Sequence, residues 1–240
     1  MPTSAASLLA ALDAHALDAT DRGDERFGHV SDLPFCDRKT WARRNGLPLE
    51  PIDAVTRRKF MLGDAVEDHA AEAIAKAFPG ARRHVRMAIR VEGRNVVSRE
   101  IPEDAEPHSD EIVGHLDLDL PDVVLEVKST VFLTDRKTWK PIVPTADSLQ
   151  RHYQVQDAGY ALARGKGMAL VVVCRSSGLA VAALYDPETF RDEIVDRIQD
   201  VLLFTAPGAP RPPAEPFYAW ECKSGYCPYV GCEKREPRRG

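Results

Sequence analysis

The side chains best placed to do chemistry together are Asp117, Glu126 and Lys128. Residues 111–130 read as a β-hairpin with Pro121 and Asp122 at the turn. Leu120 then opposes Val123, Leu118 opposes Leu125, Asp117 opposes Glu126 and His115 opposes Lys128. Strand alternation puts Leu116, Leu118, Leu120, Val123, Leu125 and Val127 on one apolar face, and His115, Asp117, Asp119, Glu126 and Lys128 on the other, which is expected to face solvent. Two carboxylates directly opposite, with Cβ atoms about 5 Å apart, repel each other. A hard divalent cation such as Mg²⁺ or Mn²⁺ would offset that repulsion and also take phosphate oxygens. Lys128 lies close enough to orient a metal-bound water or to meet phosphate. The same residues would also suit a solvated hairpin face with ordinary Glu–Lys neighbours.

Other elements must position this hairpin. Residues 54–78 have the 3.6-residue periodicity of a long helix, closed by Pro79 and Gly80. Phe60, Gly63, Glu67, Ala70, Ala71, Ile74 and Phe78 share its apolar face, so Glu67 points inward and His69 points away. Residues 83–91 alternate as a strand, a second begins near Asn95, and residues 100–110 form a loop. Residues 146–164 form a helix whose face carries Leu149, Tyr153, Gln156, Tyr160 and Ala163, with Gln156 and Tyr160 one turn apart. Residues 168–175 and 179–185 are a strand pair, and residues 188–204 are the last long helix. A peripheral helix is expected over residues 5–18. Residues 130–145 form a loop whose Arg136, Lys137, Trp139 and Lys140 suit single-stranded nucleic acid.

The chain has five cysteines, and their distribution is uneven: Cys36, Cys174, then Cys222, Cys227 and Cys232 close together. Three clustered thiols need a fourth ligand, and Cys36 is the cysteine outside the central sheet. Cys174 reads as a packing residue in a buried strand. The wide C-x4-C-x4-C spacing fits zinc ribbons poorly and a Cys₄-held 4Fe-4S cluster better, with zinc or unliganded thiols as the alternatives.

With 240 residues, 44% hydrophobic and 29% charged, the chain can bury a full α/β core. The formal charge of −5 argues against a global positive field for coating nucleic acid, but local basic clusters such as Arg57, Arg58 and Lys59, or Arg82, Arg83 and Arg86, could follow a phosphate backbone. No apolar run is long enough to cross a membrane, and the first residues do not read as a secretory signal, so a cytoplasmic protein is expected.

In order along the chain, G-x-x-x-E at Gly63 and Glu67, G-x-x-D at Gly114 and Asp117, E-x-K at Glu126 and Lys128, Q-x-x-x-Y at Gln156 and Tyr160, and the split cysteine set resemble the RecB-like branch of the PD-(D/E)xK nucleases. Within it the arrangement is similar to AddB nuclease domains, CRISPR-associated iron-sulfur exonucleases and their phage relatives. Glu67 stands where the family more often has His, and Asp122 of the literal Pro-Asp dipeptide is a turn residue. The resemblance implies a PD-(D/E)xK restriction-endonuclease-like core, a central mixed sheet flanked by helices. It implies a metal site of Glu67, Asp117, Glu126 and the Val127 carbonyl, with Lys128 acting on the attacking water. It further implies that Gln156 and Tyr160 position DNA and that Cys36, Cys222, Cys227 and Cys232 hold the cluster. The expected activity is Mg²⁺- or Mn²⁺-dependent exonucleolysis of single strands or duplex ends, in recombination, repair or phage- or CRISPR-related processing with protein partners. The alternatives are a non-catalytic DNA-binding protein with a structural metal clip, or an endonuclease of the same fold. The expected units are a peripheral helix over 1–28, the nuclease core over 29–206, and a Pro-rich linker with the cysteine segment over 207–240, packing back on Cys36.

Overall fold

The computed structural model describes residues 27–48, 52–130, 150–218, 220–222, 227, 229 and 232. The helix expected over 5–18 and the basic loop with Trp139 lie outside them. After a single 3-10 turn, Val30–Asp32, come α1 (Asp37–Arg44) and α2 (Ala54–Ala77), then strands β1 (Arg82–Glu92), β2 (Asn95–Glu100), β3 (Ile112–Asp119) and β4 (Val123–Thr130). α3 (Arg151–Arg164), β5 (Gly167–Cys174), β6 (Ala180–Tyr185), a further 3-10 turn (Pro187–Phe190) and α4 (Arg191–Thr205) complete the described elements. The strands form one six-stranded mixed sheet in the order β2-β1-β3-β4-β5-β6, with only β4 and β5 parallel. The chain is therefore an α/β protein.

Local chemistry sets the element ends. Asp53 caps α2 by accepting from the Thr56 N–H at 2.7 Å, and Pro79 disfavours helical continuation through Phe78. Gly165, at φ 62°, closes α3 in the left-handed conformation that lacks a penalty only for glycine.

Alternate residues of β4 and β5 enter different clusters, which shows that helices cover both sheet faces. Leu125, Val127 and Ala169 pack with Ala71 of α2, whereas Val124 and Met168 join Val155, Ala158 and Ile198 of α3 and α4. Two expectations change accordingly. The face of β4 that carries Glu126 is roofed by α3 rather than open to solvent. Leu116 and Leu118 do not share a face, since Leu116 packs with the α3–α4 cluster and Leu118 with α2. The flip occurs opposite His84, a non-glycine residue at positive φ (53°), with the β1–β3 register the same on either side of it. Phe60 and Phe78, expected on the inward face of α2, are exposed, Phe78 as the residue that caps the C-terminus of this 24-residue helix.

The buried Asp119 ties β3 to its neighbours through Arg82, Arg164 and Lys166. Burial by itself would raise its carboxyl, but hydrogen bonds from Lys166 and Arg82 and the charges of Arg164 and Lys166 outweigh it and hold the group below its usual range. A depressed folded-state value gives stability that is present above the ordinary value near ~3.9 and lost as pH falls through the folded one. Asp119→Asn is expected to cost about 2 kcal/mol at neutral pH by leaving buried cations underpaired. The gap between its melting temperature and that of the wild type should close as pH drops below about 4.

Candidate functional site

The hairpin has the expected register only near its turn. Leu118 pairs with Leu125 and Asp119 with Val124, and the Leu120 N–H meets the Val123 carbonyl at 2.9 Å. Past that point β3 and β4 separate. At the far end of β3 the vacated edge is taken by residues 28–29, with the Val113 N–H donating to the Gly28 carbonyl at 2.8 Å. The gap between these two pairings leaves backbone groups that must find other partners. Asp117 supplies one, its Oδ2 accepting from the Val127 N–H at 2.8 Å. Tyr160 supplies the other, donating to the His115 carbonyl at 3.0 Å.

This explains the glycine of G-x-x-D. A Cβ on Gly114 would lie 2.3 Å from Cε1 of Tyr160 and 2.7 Å from Cγ2 of Val30, so only glycine lets the tyrosine reach the gap. Tyr160 is 2% exposed and committed to β3. In this arrangement it docks α3 rather than presenting itself to a nucleic acid strand.

Glu126, 1% exposed, lies under α3. Its Oε1 accepts from Lys128 Nζ and, at 2.8 Å, from Gln156 Nε2, while Oε2 is buried with no hydrogen-bond partner among the described residues. Burial pushes the Glu126 carboxyl up, against the pull of Lys128 and with the help of Asp117. Lys128 is desolvated too, but Glu126, Asp117 and Glu67 hold it firmly protonated.

Glu67 enters from α2, accepting at 2.8 Å from both the N–H and the hydroxyl of Ser129. Burial raises its carboxyl, partly offset by Lys128 and the Ser129 bonds. Gly63, one turn earlier, permits this approach, since a Cβ there would stand 3.0 Å from the Ser129 Oγ. His69 faces outward, and Asp122 is exposed at the turn.

Asp117, Glu126, Lys128 and Glu67, drawn from α2, β3 and β4, thus act on one another's charge, and Gln156 joins them from α3. Sequence reading did not foresee the roles of Ser129 or of Asp157, a fully buried acid on α3 under the charge of Glu126, Lys128 and Asp117. Three acidic side chains act on one largely buried lysine, and burial pushes two of them, Glu67 and Glu126, toward the neutral form. Their hard oxygen donors and the unpartnered Oε2 suit a divalent cation. Among the described residues, no three His, Cys, Asp or Glu side chains stand ready-made as a ligand set. Each carboxylate is instead held by a donor of its own chain.

No protein-family model and no curated protein matches this chain. Among solved structures it is similar to the crystal structure of the protein SSO0001, over 98% of this chain and 99% of that one, with a TM-score of 0.53 at 17% sequence identity. At that identity the likeness concerns the fold, which the two share from end to end.

The cysteines divide as the sequence suggests. Cys36, Cys222, Cys227 and Cys232 line one cavity with Phe35 and Trp220, whereas Cys174 sits in β5 beside the Ser176 hydroxyl at 3.2 Å. Burial first, then the negative charges of Cys36, Cys227 and Cys232, push the Cys222 thiol up to about 11. Glu221 joins the chain's two ends, its carboxylate accepting from the Cys36 N–H at 2.9 Å and from the Tyr218 N–H at 2.8 Å. Arg197 of α4 fixes the approach to Cys36 by donating to the carbonyls of Leu33 and Phe35 at 2.8 and 2.9 Å and to Asp37 at 2.7 Å. The Pro-rich segment read as a linker is a strap on α1, where Trp41 donates to the Ala209 carbonyl at 3.0 Å and Arg38 to that of Pro212.

An aromatic run joins the two sites. The Trp220 ring lies 5.4 Å from His152, His152 lies 4.1 Å from Tyr153, and Lys128 Nζ lies 5.9 Å from the Tyr153 ring. Burial and the charges of Lys128 and Lys39 lower the His152 pKa to about 4, so this imidazole is neutral at physiological pH.

Proposed function

We propose that this protein is a metal-dependent DNA exonuclease with a RecB-like PD-(D/E)xK core and a structural 4Fe-4S cluster, working in the cytoplasm on single strands or duplex ends. The observation that carries the reading is the gap in the sheet between β3 and β4. There Asp117, Glu126, Lys128 and Glu67 meet, and a buried carboxylate oxygen of Glu126 lacks a hydrogen-bond partner among the described residues. No described helix is long and apolar enough to cross a membrane.

Glu67, Asp117 and Glu126, with the Val127 carbonyl, would hold Mg²⁺ or Mn²⁺, which when bound supplies an activated water and charge stabilisation at the phosphate. The chain's own residues do the rest. The Val127 and Ser129 N–H groups and the Gln156 amide fix the three carboxylates in place, so little reorganisation is needed at the moment of reaction. Lys128, its side chain 18% exposed, is the cation that reaches from the buried carboxylates toward solvent and would orient the attacking water. Cys36, Cys222, Cys227 and Cys232 supply the soft sulfur donors that an iron-sulfur cluster takes.

End-labelled single-stranded and duplex DNA, incubated with the full chain and either Mg²⁺, Mn²⁺ or a chelator, tests the reading. Stepwise shortening from an end with either ion and none with chelator is the expected result. Internal cuts in a closed circle would make the protein an endonuclease, and binding without cleavage under every ion would make it a non-catalytic DNA-binding protein.

A further inference from the structure

The rings that run from Lys128 to the cysteine cavity are neither core nor fully exposed. Phe35, His152, Tyr153, Tyr218 and Trp220 are each partly exposed, whereas Tyr160 and Phe190, rings that belong to the core, are 2% and 6% exposed. Tyr153 lies 4.1 Å from His152, which stands edge-on to Tyr218 at 5.8 Å and to Trp220 at 5.4 Å. Tyr218 and Trp220 stack in parallel, 5.4 Å apart with 8° between their planes, and Phe35 meets His152 at 5.8 Å. A lysine stands at each end of the run: Lys128 Nζ is 5.9 Å from the Tyr153 ring, and Lys39 Nζ is 4.3 Å from that of Phe35. The acids that act on Tyr218 are already bound, Glu193 to Arg151 and Glu221 to the N–H groups of Cys36 and Tyr218. In a chain of formal charge −5, this stretch therefore combines partly exposed rings with cations. That combination suits a single-stranded nucleic acid, whose bases stack on rings while its phosphates meet lysine.

We propose that Tyr153, His152 and the Tyr218–Trp220 pair form a base-stacking platform for single-stranded DNA, with Lys39 meeting phosphate at its far end, and that the platform delivers the strand to Lys128. The proposal rests on the nuclease reading above and narrows its substrate to single strands. Within a duplex the faces of a base are covered by its neighbours, so a duplex end is taken up only once its terminal pairs have frayed. Stacking tolerates any base, so the platform carries no sequence preference of its own.

The test is the fluorescence of 2-aminopurine, a base analogue quenched when it stacks, placed near either end of short DNA single strands. These are mixed with the anaerobically purified full chain and a chelator, so that binding is read apart from cleavage. Wild type is expected to quench the probe and to bind the single strand about tenfold or more tighter than a blunt duplex of the same sequence or an abasic strand of equal length. Tyr153→Leu and Tyr218→Leu, which keep apolar bulk but no ring, should each weaken binding about tenfold and relieve the quenching, while Tyr153→Phe and Tyr218→Phe should bind as wild type. Melting temperature and iron content separate lost stacking from lost fold. Tyr153 lies on α3 and Tyr218 beyond the Pro-rich strap, so misfolding of one leucine variant leaves the other to decide. Unchanged affinity and quenching in a folded leucine variant, or equal affinity for the abasic strand, would overturn the proposal. If the strand is cut with Mg²⁺ or Mn²⁺ but the leucine variants bind as wild type, the platform fails and the nuclease reading stands. If the bases stack as expected but neither ion supports cutting, the nuclease reading fails and the platform remains as a single-strand binding site.

Discussion

Asp117→Asn and Glu126→Gln are each expected to lower phosphodiester cleavage by about 10³-fold or more, because on the proposed reading each removes a carboxylate that would hold the cation, forfeiting roughly 4 kcal/mol of transition-state stabilisation. Both should fold. The asparagine oxygen can still accept from the Val127 N–H, and the glutamine oxygen from Gln156 and Lys128, so the gap in the sheet keeps its bonds. Melting temperatures within ~4 °C of wild type are expected, equivalent to about 1 kcal/mol for a chain of this size. Asp122→Ala and His69→Ala, both exposed and away from the carboxylates, should cleave nearly as wild type. A dead Asp122→Ala beside an active Asp117→Asn would move the site to the turn and sink the reading built on the gap.

The cysteine cavity gives the second large effect. Anaerobically purified protein is expected to be brown and to carry iron and sulfide, and Cys36→Ala or Cys222→Ser should each reduce both to background. Cross-linking Cys36 to the C-terminal cysteines closes a loop of nearly the whole chain. By the loop-closure argument its loss costs on the order of 4 kcal/mol, or a fall in melting temperature on the order of 10 °C. Activity should fall as well, because Trp220, His152 and Tyr153 connect the cavity to Lys128. Cys174→Ala should keep iron, sulfide and colour. Stoichiometric zinc without sulfide would replace the cluster with a zinc clip, and full iron content in Cys36→Ala would refute the link between the two ends.

Much of this was legible from periodicity. The inward position of Glu67 and the outward one of His69 follow from helix geometry, and the Pro121–Asp122 turn from the residue types that such turns accept. The solvent-facing carboxylate face was misread because alternation says which residues share a face, not what covers it. Covering Glu126 took α3, an element some thirty residues away in sequence. Asp157 escaped for a related reason. A helix buried on nearly all sides has no polar stripe against which a misplaced acid stands out.

The sequence by itself determined the order of the described elements, the hairpin register near its turn, and the separation of Cys174 from the other cysteines, since each depends on local pattern or on residue type within a short span. Tertiary structure alone decided the splaying of β3 from β4. That depends on residues 28–29 competing for the edge of β3, on Asp117 and Tyr160 satisfying the backbone groups left open, and on Gly114 yielding room for the tyrosine ring. These contacts join segments far apart in the chain, and their outcome is set by which buried donors and acceptors find partners.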